Sequence, residues 1–152
     1  MEKEKLEEII LKFMPDAEIA TDKQFLTAEV KNDQIHALAK FLKDTNETLF
    51  DYLFCESAVD FGDHFMMVYH LDSTTYRHQI VIKTKITDRE NPMVDSVCDV
   101  WMGAEYHERE IFDLFGIGFN NHPDLRKIFL DNDWVGFPLR KDYTDTVNIV
   151  ER

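Results

Sequence analysis

Between residues 47 and 86 the chain carries three strand-like runs in succession: ETLFDYLFCES (47–57), HFMMVYHLDS (64–73) and YRHQIVIKTKI (76–86). AVDFGDH and DSTT supply the turns between them. Strands this close in sequence pair as antiparallel hairpins, because a parallel return needs a crossover of a dozen or more residues. The rest of the chain must cover the sheet they form. Leu6, Ile9, Ile10 and Phe13 recur at helical spacing before Pro15, which predicts a helix over 2–14. QFLTAEV (24–30) reads as a further strand. Asn32 and Asp33 can cap a second helix whose stripe is Ile35, Leu38, Ala39 and Leu42. Pro92 is expected to open a short helical stretch to about Trp101, and a longer helix to run from about Ala104 to Phe115. This order predicts an α+β fold, a small mixed domain with helices packed on a mainly antiparallel sheet. Gly116 and Gly118 then end the periodic pattern. The expected division is a globular domain over 1–118 and an extended C-terminal docking arm over 119–152.

Charge narrows the function. A formal net charge of −13 argues against nucleic acid or an anionic lipid surface as partner. No stretch approaches the roughly 18 to 20 apolar residues of a membrane span, and MEKEKLEEII does not resemble a targeting segment, so a cytosolic location is expected. Cys55 and Cys98 stand alone, with no CxxC, so the chain by itself assembles neither a cysteine-ligated iron–sulfur cluster nor a zinc ribbon. Every Arg (77, 89, 109, 126, 140, 152) lies in the second half, where bidentate contacts and interfaces are then expected.

Catalytic motifs are missing. None of Ser57, Ser73 and Ser96 sits in GxSxG, and the GxG at 116–118 follows a helix rather than preceding one, which suits a helix stop. In EYHERE, His107 and Glu110 are i,i+3 neighbours and His122 could join them, but the spacing matches no metal signature and no metal site is assigned. On the helix, Glu108 falls inside the apolar stripe of Ala104, Ile111, Phe112 and Phe115, while Arg109 is spaced to pair with Asp113 at i,i+4. Downstream, Arg126, Arg140 and Lys141 alternate with Phe129, Trp134, Phe137 and Tyr143. An irregular segment cannot bury these on itself. It either straps its own domain or meets a partner through the Arg and aromatic residues that interface centres favour.

The stretch EREIFDLFGIGFNNHPDLRKIFLDNDWVGFPLRKDY (108–143) resembles the C subunit of the proton-pumping NADH–quinone oxidoreductase, respiratory complex I. The resemblance is carried by Glu108-Arg109-Glu110, Asp113-Leu114-Phe115, His122 and Arg126. It extends through Asp131, Asp133, Trp134, Gly136 and Pro138 to Tyr143. With AVD, VYHL and TDRENPMVDSVCDVWMGAEYHERE it covers about residues 48–145. The resemblance implies a cofactor-free structural and assembly subunit in the hydrophilic arm of an ion-pumping membrane oxidoreductase. Iron–sulfur clusters would then lie in partner subunits. It would pack against the cluster-bearing B subunit and the quinone-site D subunit, peripheral on the cytoplasmic side of the membrane and without inserting into it. On this reading Glu108, Arg109, Glu110, Asp113, His122, Arg126, Trp134, Arg140, Lys141 and Tyr143 are partner-docking residues, and none is catalytic, cofactor-binding or metal-ligating. Archaeal enzymes that oxidise a reduced deazaflavin, the ferredoxin-fed photosynthetic complex and membrane-bound nickel–iron hydrogenases carry the same kind of subunit. The resemblance thus fixes a class of assembly rather than an electron donor. A free-standing protein-binding module is the alternative from another class.

Overall fold

The computed structural model describes residues 2–145. Its main layer is a five-stranded sheet in the order β1-β2-β5-β4-β3, from Glu18–Ala20, Leu26–Val30, Gln79–Ile86, Phe65–Asp72 and Tyr52–Asp60. Strands β3, β4 and β5 form the expected consecutive antiparallel hairpins. Strand β2 lies parallel to β5, with Leu26 opposite Ile80 and Val30 opposite Thr84. The period of two sorts the faces: Phe65, Met67, Tyr69 and Leu71 of β4 and Ile80, Ile82 and Ile86 of β5 all point into the core.

Helices close that inner face. Helix α1 (Lys3–Phe13) buries Leu6 and Ile10. Helix α2 (Ile35–Asp44) buries Ile35, Leu38, Ala39 and Leu42, the stripe read from the sequence. Phe13 sits outside the core and stacks on Phe41, with ring centroids 4.0 Å apart and planes 3° from parallel, fastening α1 to α2. Helix α3 (Ala104–Phe115) packs against β3. The α+β class is therefore correct.

Several local expectations change. No helix follows Pro92. Met93–Asp95 is instead a strand, β6, pairing in parallel with β7 (Gly118–Asn120) in a second small sheet, and Val97 to Trp101 makes one isolated turn. Trp101 then donates its indole N–H to the Phe50 carbonyl at 2.9 Å. Asn32 and Asp33 do not cap α2. They lie in a 3₁₀ turn (Asn32–Gln34), and the Asn32 amide donates to the Met93 carbonyl at 2.8 Å, tying the start of α2 to β6. Strand β3 begins five residues later than the run at 47 suggests, because the chain leaving α2 turns tightly through Thr45–Leu49, with Leu49 at φ 41°. It also continues through Asp60, so the turn to β4 spans only Phe61–His64.

The glycine at 116 acts as the expected helix stop. Its φ of 72° and ψ of 21° are left-handed, and its N–H bonds the Phe112 carbonyl at 2.9 Å. A Cβ there would lie 2.5 Å from the Phe137 ring. Gly116→Ala should therefore lower stability by about 1–2 kcal/mol from backbone strain alone. Urea unfolding would show a reduced midpoint, and an unchanged midpoint would mean that the ring moves aside and the backbone tolerates the change.

Candidate functional site

Helix α3 presents four ionisable residues in its middle, and three are fully or nearly fully buried: Glu108, Arg109 and Asp113. Glu110 faces outward. A helix cannot bury such groups without partners from elsewhere. Glu108 Oε2 accepts from the Ser96 hydroxyl at 2.6 Å and the Cys98 thiol at 3.2 Å, and Oε1 accepts from the Val97 N–H at 2.8 Å. His122 Nε2 lies 3.8 Å from the same carboxylate. Burial raises the Glu108 carboxyl above its usual range, opposed by the donors at Ser96, Val97 and Cys98 and by His122.

Arg109 and Asp113 do not pair with each other as the i,i+4 spacing suggests. Both reach instead to the segment after β7. Arg109 donates from Nε to the Arg126 carbonyl at 3.2 Å and from Nη2 to the Lys127 carbonyl at 3.3 Å. Asp113 Oδ2 accepts from three successive backbone N–H groups, Ile128, Phe129 and Leu130, at 3.2, 2.7 and 3.1 Å. The helix thereby supplies the hydrogen bonds that an irregular backbone cannot make for itself.

A second clasp holds the end of the segment. Arg89 makes a bidentate pair with Asp60, Nη1 to Oδ1 at 2.6 Å and Nη2 to Oδ2 at 3.1 Å. Asp60 also accepts the Lys141 backbone N–H at 2.9 Å. Arg140 donates to the Phe115 carbonyl at 2.5 Å and the Arg89 carbonyl at 3.2 Å, and its guanidinium lies 5.1 Å from the Phe65 ring centroid. The Arg89 hydrogen bonds hold the Asp60 carboxyl far below the usual carboxylate range.

The other proposed docking residues fall as follows. Arg126 is exposed and pairs with Asp124 at 2.8 Å. Lys141 is exposed, and the half-buried Tyr143 donates its hydroxyl to Asp145 at 2.8 Å. Trp134 is half-buried, its carbonyl accepting from Lys127 Nζ at 3.1 Å. The His122 side chain is buried, its Nε2 facing the Glu105 carbonyl at 3.1 Å while Nδ1 accepts the Asp124 N–H at 3.0 Å. Facing outward on the segment are Phe129 at 66%, Val135 at 87% and Leu139 at 52% exposure. Val135 and Leu139 carry no periodic signal in the sequence. Asp60 and Arg89 are equally silent, being 29 residues apart.

One buried group is unlike the rest. Glu56, on β3 beside Tyr69 of β4, is 3% exposed, and among the described residues neither its carboxyl oxygens nor the Tyr69 hydroxyl have a hydrogen-bond partner. Burial pushes the Glu56 carboxyl well up, and the nearby Glu108 pushes it further. Also among the described residues, Cys98, Glu108 and His122 bring their donor atoms within 4.8 Å of one another.

Residues 28–147 match the family described as respiratory-chain NADH dehydrogenase, 30 Kd subunit. The chain belongs to this family. Over 121 residues it is 41% identical to the NADH-quinone oxidoreductase C subunit of Chloroherpeton thalassium, covering 78% of this chain and 50% of that one. Over 134 residues it is 41% identical to the corresponding C subunit of Roseiflexus castenholzii, covering 85% and 76% of the two chains. The fused C/D subunit of Phocaeicola vulgatus is 43% identical over 121 residues, 79% of this chain and 23% of the fusion. The chain thus spans half or less of the length of some relatives and three quarters of another. Among solved structures, a chain of the archaeal membrane-bound sulfane sulfur reductase, a respiratory membrane complex, superposes with a TM-score of 0.80 at 27% identity. That match covers 95% of this chain and 86% of the other.

Two outcomes follow for the helix and clasps of this 30 kDa family member. Asp113→Ala leaves three backbone N–H groups without their acceptor and should cost about 3 kcal/mol, with Asp113→Asn recovering part of it. Equal unfolding midpoints for Asp113→Ala and the unaltered chain would sink that account. Asp60, held low in the fold, contributes stability above the ordinary aspartate value of about 3.9 that is lost as pH falls below it. Asp60→Asn should accordingly flatten the acid limb of a stability-against-pH series. An acid limb of unaltered steepness would put the pH dependence elsewhere.

Proposed function

We propose that this chain is the C subunit of an ion-pumping membrane oxidoreductase of the complex I type and that its own role is structural. In this reading it holds no electron-carrying cofactor, and the iron–sulfur clusters lie in its partners. It packs against the cluster-bearing B subunit and the quinone-site D subunit on the cytoplasmic side of the membrane. Family membership supports the class of assembly. A relative named as a C/D fusion favours close neighbourhood with the D subunit. No helix of the described residues is long and apolar enough to cross a membrane, which agrees with a peripheral position.

The observation that carries the docking role is the two-sided construction of the segment after β7. Its inner side is fastened by Arg109, Asp113, Asp60 and Arg140, so the backbone is already ordered. Its outer side exposes Phe129, Val135 and Leu139. Exposed apolar groups on a pre-ordered, irregular backbone suit burial by a partner at little further entropic cost. The arm proposed over 119–152, of which 146–152 lie outside the described residues, is on this view both a strap and a docking surface. The likeness to the sulfane sulfur reductase chain favours a second version, in which the same surface serves a sulfur-reducing or hydrogenase-type assembly rather than a quinone reductase.

The test is coexpression of the full chain with the proteins encoded beside it. Phe129→Asp combined with Leu139→Asp should leave thermal unfolding of the isolated chain unchanged and abolish copurification of the cluster-bearing and quinone-site subunits. Full copurification of the double variant would remove the docking surface. An unaltered chain that captures no such subunits and stays monodisperse alone would favour a free-standing module. Copurification of a nickel–iron protein would point to a hydrogenase.

A further inference from the structure

Cys98, Glu108 and His122 are not among the outward apolar residues of the proposed docking surface, and the proposed function assigns their joint arrangement no role. We propose that these three side chains bind a divalent transition metal of the zinc type, a structural ion that pins the segment after β7 to helix α3 and to the turn after β6.

The three donors come from separate parts of the chain and converge on one point. Cys98 Sγ and Glu108 Oε2 are 3.2 Å apart, Glu108 Oε2 and His122 Nε2 are 3.8 Å apart, and all three donor atoms lie within 4.8 Å. Metal–ligand lengths of about 2.0–2.3 Å in a tetrahedral zinc site place ligand atoms about 3.3–3.7 Å from each other. One thiolate, one imidazole and one carboxylate form a borderline-soft set that suits zinc and not calcium or magnesium. Glu108 is also held in place from behind, by the Ser96 hydroxyl at 2.6 Å and the Val97 N–H at 2.8 Å, as outer contacts orient a ligating carboxylate.

An independent observation points the same way. Glu56, on the strand against which helix α3 packs, is buried with both carboxyl oxygens unpartnered among the described residues. A thiolate at Cys98 and a carboxylate at Glu108 together balance a dication, so the loaded three-ligand cluster carries no net charge.

Loading has a defined proton balance. The Cys98 thiol proton, now donated to Glu108, leaves to solvent. His122 now carries its proton on Nε2 toward the Glu105 carbonyl and accepts the Asp124 N–H on Nδ1. It must shift that proton to Nδ1 and give up both contacts. No electron moves, and the ion is redox-inert, so the proposal leaves the structural role, with the electron carriers in partner subunits, intact.

Cobalt(II) titration of the metal-free full chain tests this directly. Binding should produce a thiolate-to-cobalt charge-transfer band with the intense visible bands of a tetrahedral site, and equimolar zinc should displace it. Cys98→Ser should abolish the charge-transfer band while circular dichroism stays native, and Cys55→Ser should keep it. Failure to bind cobalt, binding without the thiolate band, or a band that survives Cys98→Ser would each overturn the proposal.

Discussion

Helix α3 buries Glu108, Arg109 and Asp113 within six residues, and the second half of the molecule is arranged to make that possible. Each group has its partners supplied by chain that is not helical: the turn after β6 for Glu108, and the backbone after β7 for Arg109 and Asp113. The dependence runs both ways. The irregular backbone has no ladder of its own, so its N–H and C=O groups are satisfied by the helix side chains. Removing either side leaves buried polar groups unpaired, at a cost well above the modest net worth of an ordinary hydrogen bond.

On the proposed docking role, recognition of partners rests on rigidity rather than on the charges themselves. Most of the charges that stand out in the sequence are turned toward the chain's own backbone. What faces outward is apolar and held in a fixed arrangement, so a partner meets a surface ordered in advance.

How much of this was legible in the sequence depended on the range of each interaction. Helix α2, strands β4 and β5, and helix α3 were plain, since their apolar periods are local and their faces are covered by the core. The pairing of β6 with β7 was hidden, because each is three residues long and its partner lies 25 residues away. The sequence offered Arg109 and Asp113 as a surface pair because i,i+4 spacing describes exposed helix faces. Once buried, both groups answer to whatever backbone is packed over them. The same limit applies to Cys98, Glu108 and His122, whose convergence no local spacing encodes, whereas the i,i+3 pair His107 and Glu110 is not joined by His122 in a ligand group among the described residues.

The parallel contact between β2 and β5 bears on how the chain is made. A ribosome releases β2 nearly fifty residues before Gln79, so its inner edge has no neighbour while α2, β3 and β4 are being synthesised. The β3–β4 hairpin can close locally during that time, but the middle of the sheet cannot. Strand β5 must slot between two elements already present, zipping to β4 on one edge and β2 on the other. Until that insertion, the apolar residues of α1 and α2 lack their floor. A nascent chain stalled before residue 79 would therefore be a natural client for a chaperone that shields apolar surface.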